Sequence, residues 1–462
     1  MATMNAPSDS RHLPPFYTGT SPFLKANPHF IRLLWKTSQR CTVEAFEDIY
    51  DAQGFKLWAA SKPLEPQLLE KLTDRPLRKP IELCVHAKDA AIAATLESAL
   101  ERACAQSPDL AAALATHRDV VLPAMRSLVL NPQERLLMSV MCHGAVELFN
   151  HATVVTALAL TLAAESGLDA LHWSGLAQAA LLHDVGQLYF STDLVGVQAQ
   201  SVRMTHPAVG GLAAVELAGC SQEVGQLIAC SHERLNGSGH PRGLVAEQLT
   251  QSARILLFAE AMADYLANPR AGAQKAAIAA RMVPREFDEA SVGWIVSLAR
   301  MRAAAARAAG TAGPVPHLQG GEEAASNGGA TLPIGLRLRE FHGGLSRAVV
   351  LLSLPAGELP EVRQAAQRWL QRLNPLVRAL RLSGVEDALA QGQNLEPGSD
   401  EEAVELEMLL AELTSRVEDF ARNLALECSR SVFFRDSRLV DNLAQIVDSL
   451  APQGGAPTVS HF

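Results

Sequence analysis

Ala180-Leu181-Leu182-His183-Asp184-Val185-Gly186-Gln187-Leu188 runs an apolar segment straight into a His-Asp pair, with a glycine two residues further on. Adjacent imidazole and carboxylate groups in an apolar helix are expensive to desolvate unless something binds them. A divalent metal would do so, since imidazole nitrogen and carboxylate oxygen both suit Mn, Fe or Zn. A core histidine paired with its neighbour is the plainer alternative. The spacing of the other histidines decides between them.

Seven of the fourteen histidines fall within about a hundred residues: His143, His151, His172, His183, His206, His232 and His240. Asp184, Glu233, Glu260 and Asp264 are the acids that join them. His206 precedes Pro207, and proline favours the first helical position, so His206 is placed at a helix mouth. Ser231-His232-Glu233-Arg234 closes one helix, and Asn236 to Pro241 reads as a turn-forming loop. Ser252 to Ala267 makes a further helix with Glu260 and Asp264 one turn apart. Five helices would then bring His151, the His183-Asp184 pair, His206, His232 and Glu260 to one cleft, a common way to build a metal site in a bundle. His143 lies two turns before His151 and reads as a packed polar residue rather than a ligand. His172, beside Trp173, reads as a boundary residue.

The rest of the chain bounds this reading. Its 462 residues are enough for two or three domains. Composition is 48% hydrophobic but only 5% aromatic, rich in Ala and Leu, which favours a mainly α fold. The net charge of −9, without a basic run, argues against binding a nucleic-acid polymer. The seven cysteines are scattered with no CxxC, as expected of reduced thiols in a cytoplasmic protein. Met1 to Pro15 has no apolar core of a signal peptide, and no run of about 18 apolar residues predicts a membrane span. No GxSxG or P-loop pattern is present.

Taken in order, residues 1–88 read as a loose leader, with an apolar patch at Phe30 to Trp35, and a small hairpin element. That hairpin spans Val43 to Ala59 and turns at Asp51 to Gly54. Pro63 to Leu72 reads as a short helix. Residues 89–308 form the helical metal-binding domain, with Val154 to Ala164 apolar nearly all round and so buried centrally. Residues 309–332 read as a flexible linker, 333–450 as a C-terminal helical region and 451–462 as a disordered tail. Glu402 to Glu427 reads as one long amphipathic helix, suited to a bundle or to a partner.

Residues 145–268 resemble the HD-GYP branch of the HD phosphohydrolase superfamily. The matching pieces, in order, are His151 with Val154-Val155, His183-Asp184-Val185-Gly186, His206-Pro207 with Gly210, and His232-Glu233-Arg234 into Gly237-Ser238-Gly239. Pro241 with Gly243-Leu244, then Arg254-Ile255 leading to Ala259-Glu260, complete the set. The resemblance implies an all-helical bundle holding two or three Fe or Mn ions, most often in a bacterial cyclic di-GMP phosphodiesterase. By that resemblance His151, His183, Asp184 and Glu260 hold one ion, and Asp184 bridges to a second held by His206 and His232. A bridging hydroxide would be the nucleophile. Asp184 and Gln187 would serve catalysis, and Gln187, Arg234, His240 and Arg254 would meet the substrate.

This chain departs from the pattern. Ser231 stands where a first histidine of a His-His pair is usual, so the second ion loses a ligand. Gln187 replaces a lysine and brings no positive charge, although one helical turn from His183 would face it to the cleft. Glu260 replaces an aspartate, and Ala263 stands at the motif's second aspartate, with Asp264 beside it. The naming Gly-Tyr-Pro reads Gly239-His240-Pro241, and His240 is a plain loop residue, a substrate contact or a stray ligand. The first function expected is therefore hydrolysis of cyclic di-GMP to pGpG or GMP. The second is a catalytically degenerate signalling module that binds a protein partner or the nucleotide. A homodimer is compatible with either.

Overall fold

The computed structural model describes residues 21–72, 75–88, 92–191, 193–269, 272–309, 333–353, 359–382 and 400–430, with 442, 445 and 446. In chain order the elements are α1 (Pro28–Ser38), β1 (Val43–Ala45), β2 (Ile49–Tyr50), β3 (Lys56–Trp58), α2 (Pro66–Leu72), β4 (Val85–Ala87), α3 (Ile92–Gln106), α4 (Pro108–Ala115), α5 (Arg118–Arg126), α6 (Pro132–Gly144), α7 (Val146–Glu165), α8 (Trp173–Leu182), α9 (Gly196–Glu216) and α10 (Gln222–Ala229). Then come α11 (Gln251–Ala267), α12 (Gly272–Met282), α13 (Glu289–Ala308), α14 (Ile334–Leu352), α15 (Pro360–Leu382) and α16 (Asp400–Arg430). The fold is mainly α, as expected. Two compact units divide it. One comprises the described residues up to Ala103, His117–Asp193 and Thr205–His232. The other comprises Cys104–Thr116, Leu194–Met204 and the described residues from Glu233 onward. The 88/89 boundary falls inside the first unit, and residues 89–308 divide between the two. Of the expected linker at 309–332, residues 310–332 lie outside the described residues, as does the whole of the expected tail at 451–462.

In the first unit α7 is the central helix. From Ala152 to Ala163 it is buried on every side, packed by α5, α6 and α8. Its three buried threonines, Thr153, Thr156 and Thr161, donate to carbonyls four residues back at 2.7–2.8 Å, so no hydroxyl is stranded. Among the described helices α7 alone is long and apolar enough to cross a membrane, and 72% of that window is buried inside the unit. Asn131 starts α6 with a full capping box to Glu134, and Pro132 occupies the first helical position.

The N-terminal part is more ordered than the leader the sequence suggested. Phe30, Ile31 and Leu34 form the buried face of α1, which packs on α6. The hairpin is shorter than expected. β2 pairs β3 around the expected turn, which Asp51 holds by accepting from Gln53 N and Phe55 N, with Gly54 at φ 87°. β1 instead pairs antiparallel with β4, forty residues on in register Val43 to Ala87. Three residues of β4 carry too little alternation to announce a strand.

Glu82, in a 3-10 turn at Ile81–Leu83, is 2% exposed. Burial pushes its carboxyl from 4.5 up to about 7, against weaker opposing pulls from its own backbone N–H and from Tyr189. Below pH 4.5 the group is protonated folded and unfolded alike. Between 4.5 and 7 the folded protein keeps a proton that the unfolded chain releases, so stability falls as pH rises. The loss is complete above pH 7 and amounts to about 3 kcal/mol. Glu82→Gln is therefore expected to flatten this window and to outlast the parent protein at pH 8. Urea midpoints at pH 5 and pH 8 measure it, and an identical slope in both proteins would assign the titration elsewhere.

In the second unit α12 carries Ala273, Ala276, Ala277, Ala279 and Ala280 buried, and these small side chains let α4, α11, α13 and α16 crowd around it. α14, α15 and α16 share a core of Leu338, Leu345, Trp369, Leu373, Leu413, Val417, Phe420 and Leu424, joined by Ile278 and Met282 of α12. Of the two uses expected for the amphipathic helix, the described residues show the bundle. A charge chain sits beneath it. Arg416 pairs with Glu286 and Glu412 and donates to Ala279 O at 3.1 Å, while Tyr265 donates to Glu412.

Candidate metal centre

α8 stops at Leu182, so His183 caps it and Asp184 lies beyond it, at φ −99°, ψ 4°. Val185–Tyr189 then forms a 3-10 turn. The α-helical spacing that aimed Gln187 at the cleft therefore does not apply. Gln187 is half-buried, and its backbone N–H donates to Asp184 O. His183 is fully buried, with Nδ1 2.8 Å from Ala180 O. A carbonyl only accepts, so Nδ1 carries the proton and Nε2 presents the lone pair a metal would use.

The two Asp184 oxygens point to different histidines. Oδ2 lies 3.5 Å from His183 Nε2 and 4.0 Å from His151 Nε2, on α7. Oδ1 lies 3.1 Å from His206 Nε2, on α9, and 4.0 Å from His232 Nε2. His206 Nε2 and His232 Nε2 are 3.0 Å apart. His151, His183 and Asp184 make one group with metal-ligand spacing, and Asp184, His206 and His232 make another. Burial would push the Asp184 carboxyl up. The neighbouring imidazoles of His183, His206 and His232 outweigh it and hold the carboxyl well below the usual range.

Glycines bring these histidines together. A Cβ on Gly186 would lie 2.1 Å from His206 O and 2.7 Å from Gly210 N, so the turn after Asp184 rests directly on the α9 backbone. α9 and α10 meet at a second such crossing, where a Cβ on Gly211 would lie 2.4 Å from Gly225 O. α10 ends at Ala229, and His232 follows it in a turn. The expected helix mouth at His206 is corrected: Pro207 lies inside α9, which runs on through it. The helical pattern on both sides outweighs the hydrogen bond lost at the proline. The sequence reading missed Gly211 and Gly225. Their signal was a glycine pair and a single glycine inside helical patterns, each unfavourable by about 1 kcal/mol without a packing reason.

Ser231 is fully buried, and its Oγ has no hydrogen-bond partner among the described residues. Four imidazoles in two groups, a shared carboxylate and this orphaned hydroxyl beside His232 suit a divalent cation. The chemistry of the donor set therefore fits the metal that the sequence implied.

Glu233, Arg234, His240, Arg254, Glu260 and Asp264 belong to the second unit. Glu233 is buried and spends both oxygens on loop backbone, accepting from Arg242 N and Leu244 N at 2.8 Å each. Gly239 packs so closely on Glu233 and Arg234 that a Cβ there would lie 2.3 Å from Arg234 N. Arg234 pairs with Glu260 at 3.8 Å and Glu286 at 3.5 Å, and its guanidinium lies over Phe287. Arg254 donates to Leu249 O and Ala246 O, which ties the loop to α11. His240, half-buried, sits in that loop, and Asp264 is exposed on α11. His143 on α6 is half-buried and belongs to neither metal-spaced group. All seven cysteines are free thiols.

Residues 135–282 match the family model of the HD domain. No curated protein sequence matches the chain. Among solved structures it is similar to Bd1817, an HDG"Y"P protein from Bdellovibrio bacteriovorus, at 16% identity and a TM-score of 0.32. That match covers 57% of this chain and 97% of the other. Every member of the His-Asp cluster falls inside the span that matches the HD-domain family model.

Proposed function

We propose that the HD domain is a phosphodiesterase of the HD-GYP type acting on cyclic di-GMP, dependent on two Fe or Mn ions. The observation that carries this reading is the division of the Asp184 carboxylate, one oxygen toward His151 and His183 and the other toward His206 and His232. When bound, divalent cations at such a carboxylate lower the pKa of water to near neutrality and offset charge on phosphate oxygens. Within the chain, Asp184 supplies the shared anion, and Ala180 O fixes the His183 tautomer. Gly186 and Gly210 hold α9 close enough for His206 to reach the carboxylate.

A second reading, a degenerate signalling module, is favoured by Ser231 in place of an imidazole and by the uncharged Gln187. Incubation of the purified protein with cyclic di-GMP and Mn(II) or Fe(II), followed by nucleotide chromatography, separates the two. Release of pGpG or GMP is expected. Metal bound in stoichiometric amount without turnover would favour the signalling module.

A further inference from the structure

Tyr189 ends the 3-10 turn that begins just after Asp184, and the N-terminal segment grips it from three directions. Its ring lies between Phe23, 5.0 Å away, and Phe30, stacked at 5.3 Å with the planes 7° apart. Its carbonyl accepts from Asn27 Nδ2 at 2.9 Å. Its hydroxyl is buried beside the Glu82 carboxyl. Asn27 holds a second post: its Oδ1 accepts from His29 N and Phe30 N and caps α1, which itself packs against the turn.

We propose that Asn27 and Tyr189 are positioning residues for the metal centre, through which the N-terminal segment holds the turn that aims the Asp184 carboxylate. Asp184 joins the end of α8 to the 3-10 turn, so the placement of that turn sets the direction of its side chain. A 3-10 turn has poor hydrogen-bond geometry and frays unless its end is held. The Asn27 amide satisfies the carbonyl at that end, and the two phenylalanines fix the ring on the same residue. A turn released at Tyr189 would let Asp184 rotate, and a carboxylate shared between two histidine pairs tolerates little rotation. The plain alternative is that Asn27 only caps α1 and Tyr189 only fills the core.

The inference rests on the metal-dependent reading of the cluster, and the test separates the two. Asn27→Ser keeps the helix cap, since serine caps as well as asparagine, but lacks the amide that reaches Tyr189. Tyr189→Leu keeps an apolar residue and removes the stacked ring. Co(II) affinity and the visible absorption of the Co(II) complex are measured for the full chain and each variant, well below their melting temperatures. Both variants are expected to bind Co(II) about tenfold more weakly and with a shifted band, at unchanged helix content. Wild-type affinity and spectrum in folded Asn27→Ser would overturn the inference, whether or not Tyr189→Leu folds. Failure of the parent protein to bind Co(II) would overturn the metal reading and this inference with it.

Discussion

Asp184→Ala is expected to strip bound metal and abolish phosphodiester turnover together, while the helical fold persists. The carboxylate is the one group common to both metal-spaced clusters, so its loss removes a ligand from each. Loss of even an outer partner of a metal ligand costs 10–100-fold. Losing the shared carboxylate from both halves is therefore expected to cost at least about a thousandfold. Elemental analysis after dialysis, circular dichroism and nucleotide chromatography measure the three quantities. Turnover retained within about tenfold of the parent protein would remove Asp184 from the centre of the chemistry.

Gly186→Ala is expected to destabilise the first unit by about 3 kcal/mol or more and to lower metal affinity as well. The added methyl would sit 2.1 Å from His206 O, with Gly210 N behind it at 2.7 Å. Both obstacles are backbone, so no side chain can swing aside. The α9 backbone must retreat, and His206 retreats with it from Asp184 Oδ1. A urea titration and a Co(II) titration of the same variant read the two effects. An alanine variant as stable as the parent would show that the turn and α9 are looser than this packing implies. Most overpacked cores lose stability without losing a function; here the obstructed carbonyl belongs to a residue of the cluster itself.

Much of this was legible in the chain alone. The His-Asp pair, the order of His151, His206 and His232, the burial of α7 and the helical nature of 402–427 all follow from ligand chemistry and the 3.6-residue period. Where reading by period failed, a terminus intervened. Helix α8 ends one residue before His183, which removes the phase that had aimed Gln187 at the cleft. Pro207 lies within α9, where a local preference yielded to the longer pattern around it. The N-terminal residues looked like a leader because their hydrophobic pattern is short, and their partners are far along the chain.

The sequence by itself determined the candidate donors and the helical character of the segments around them, because residue chemistry and helix periodicity are local properties. Only the tertiary structure decided which Asp184 oxygen faces which histidines, which glycines permit the backbone approach, and that Asn27 holds a turn 162 residues away. Those outcomes depend on close contacts between distant segments. A displacement of an ångström there changes an orientation while leaving composition and spacing untouched.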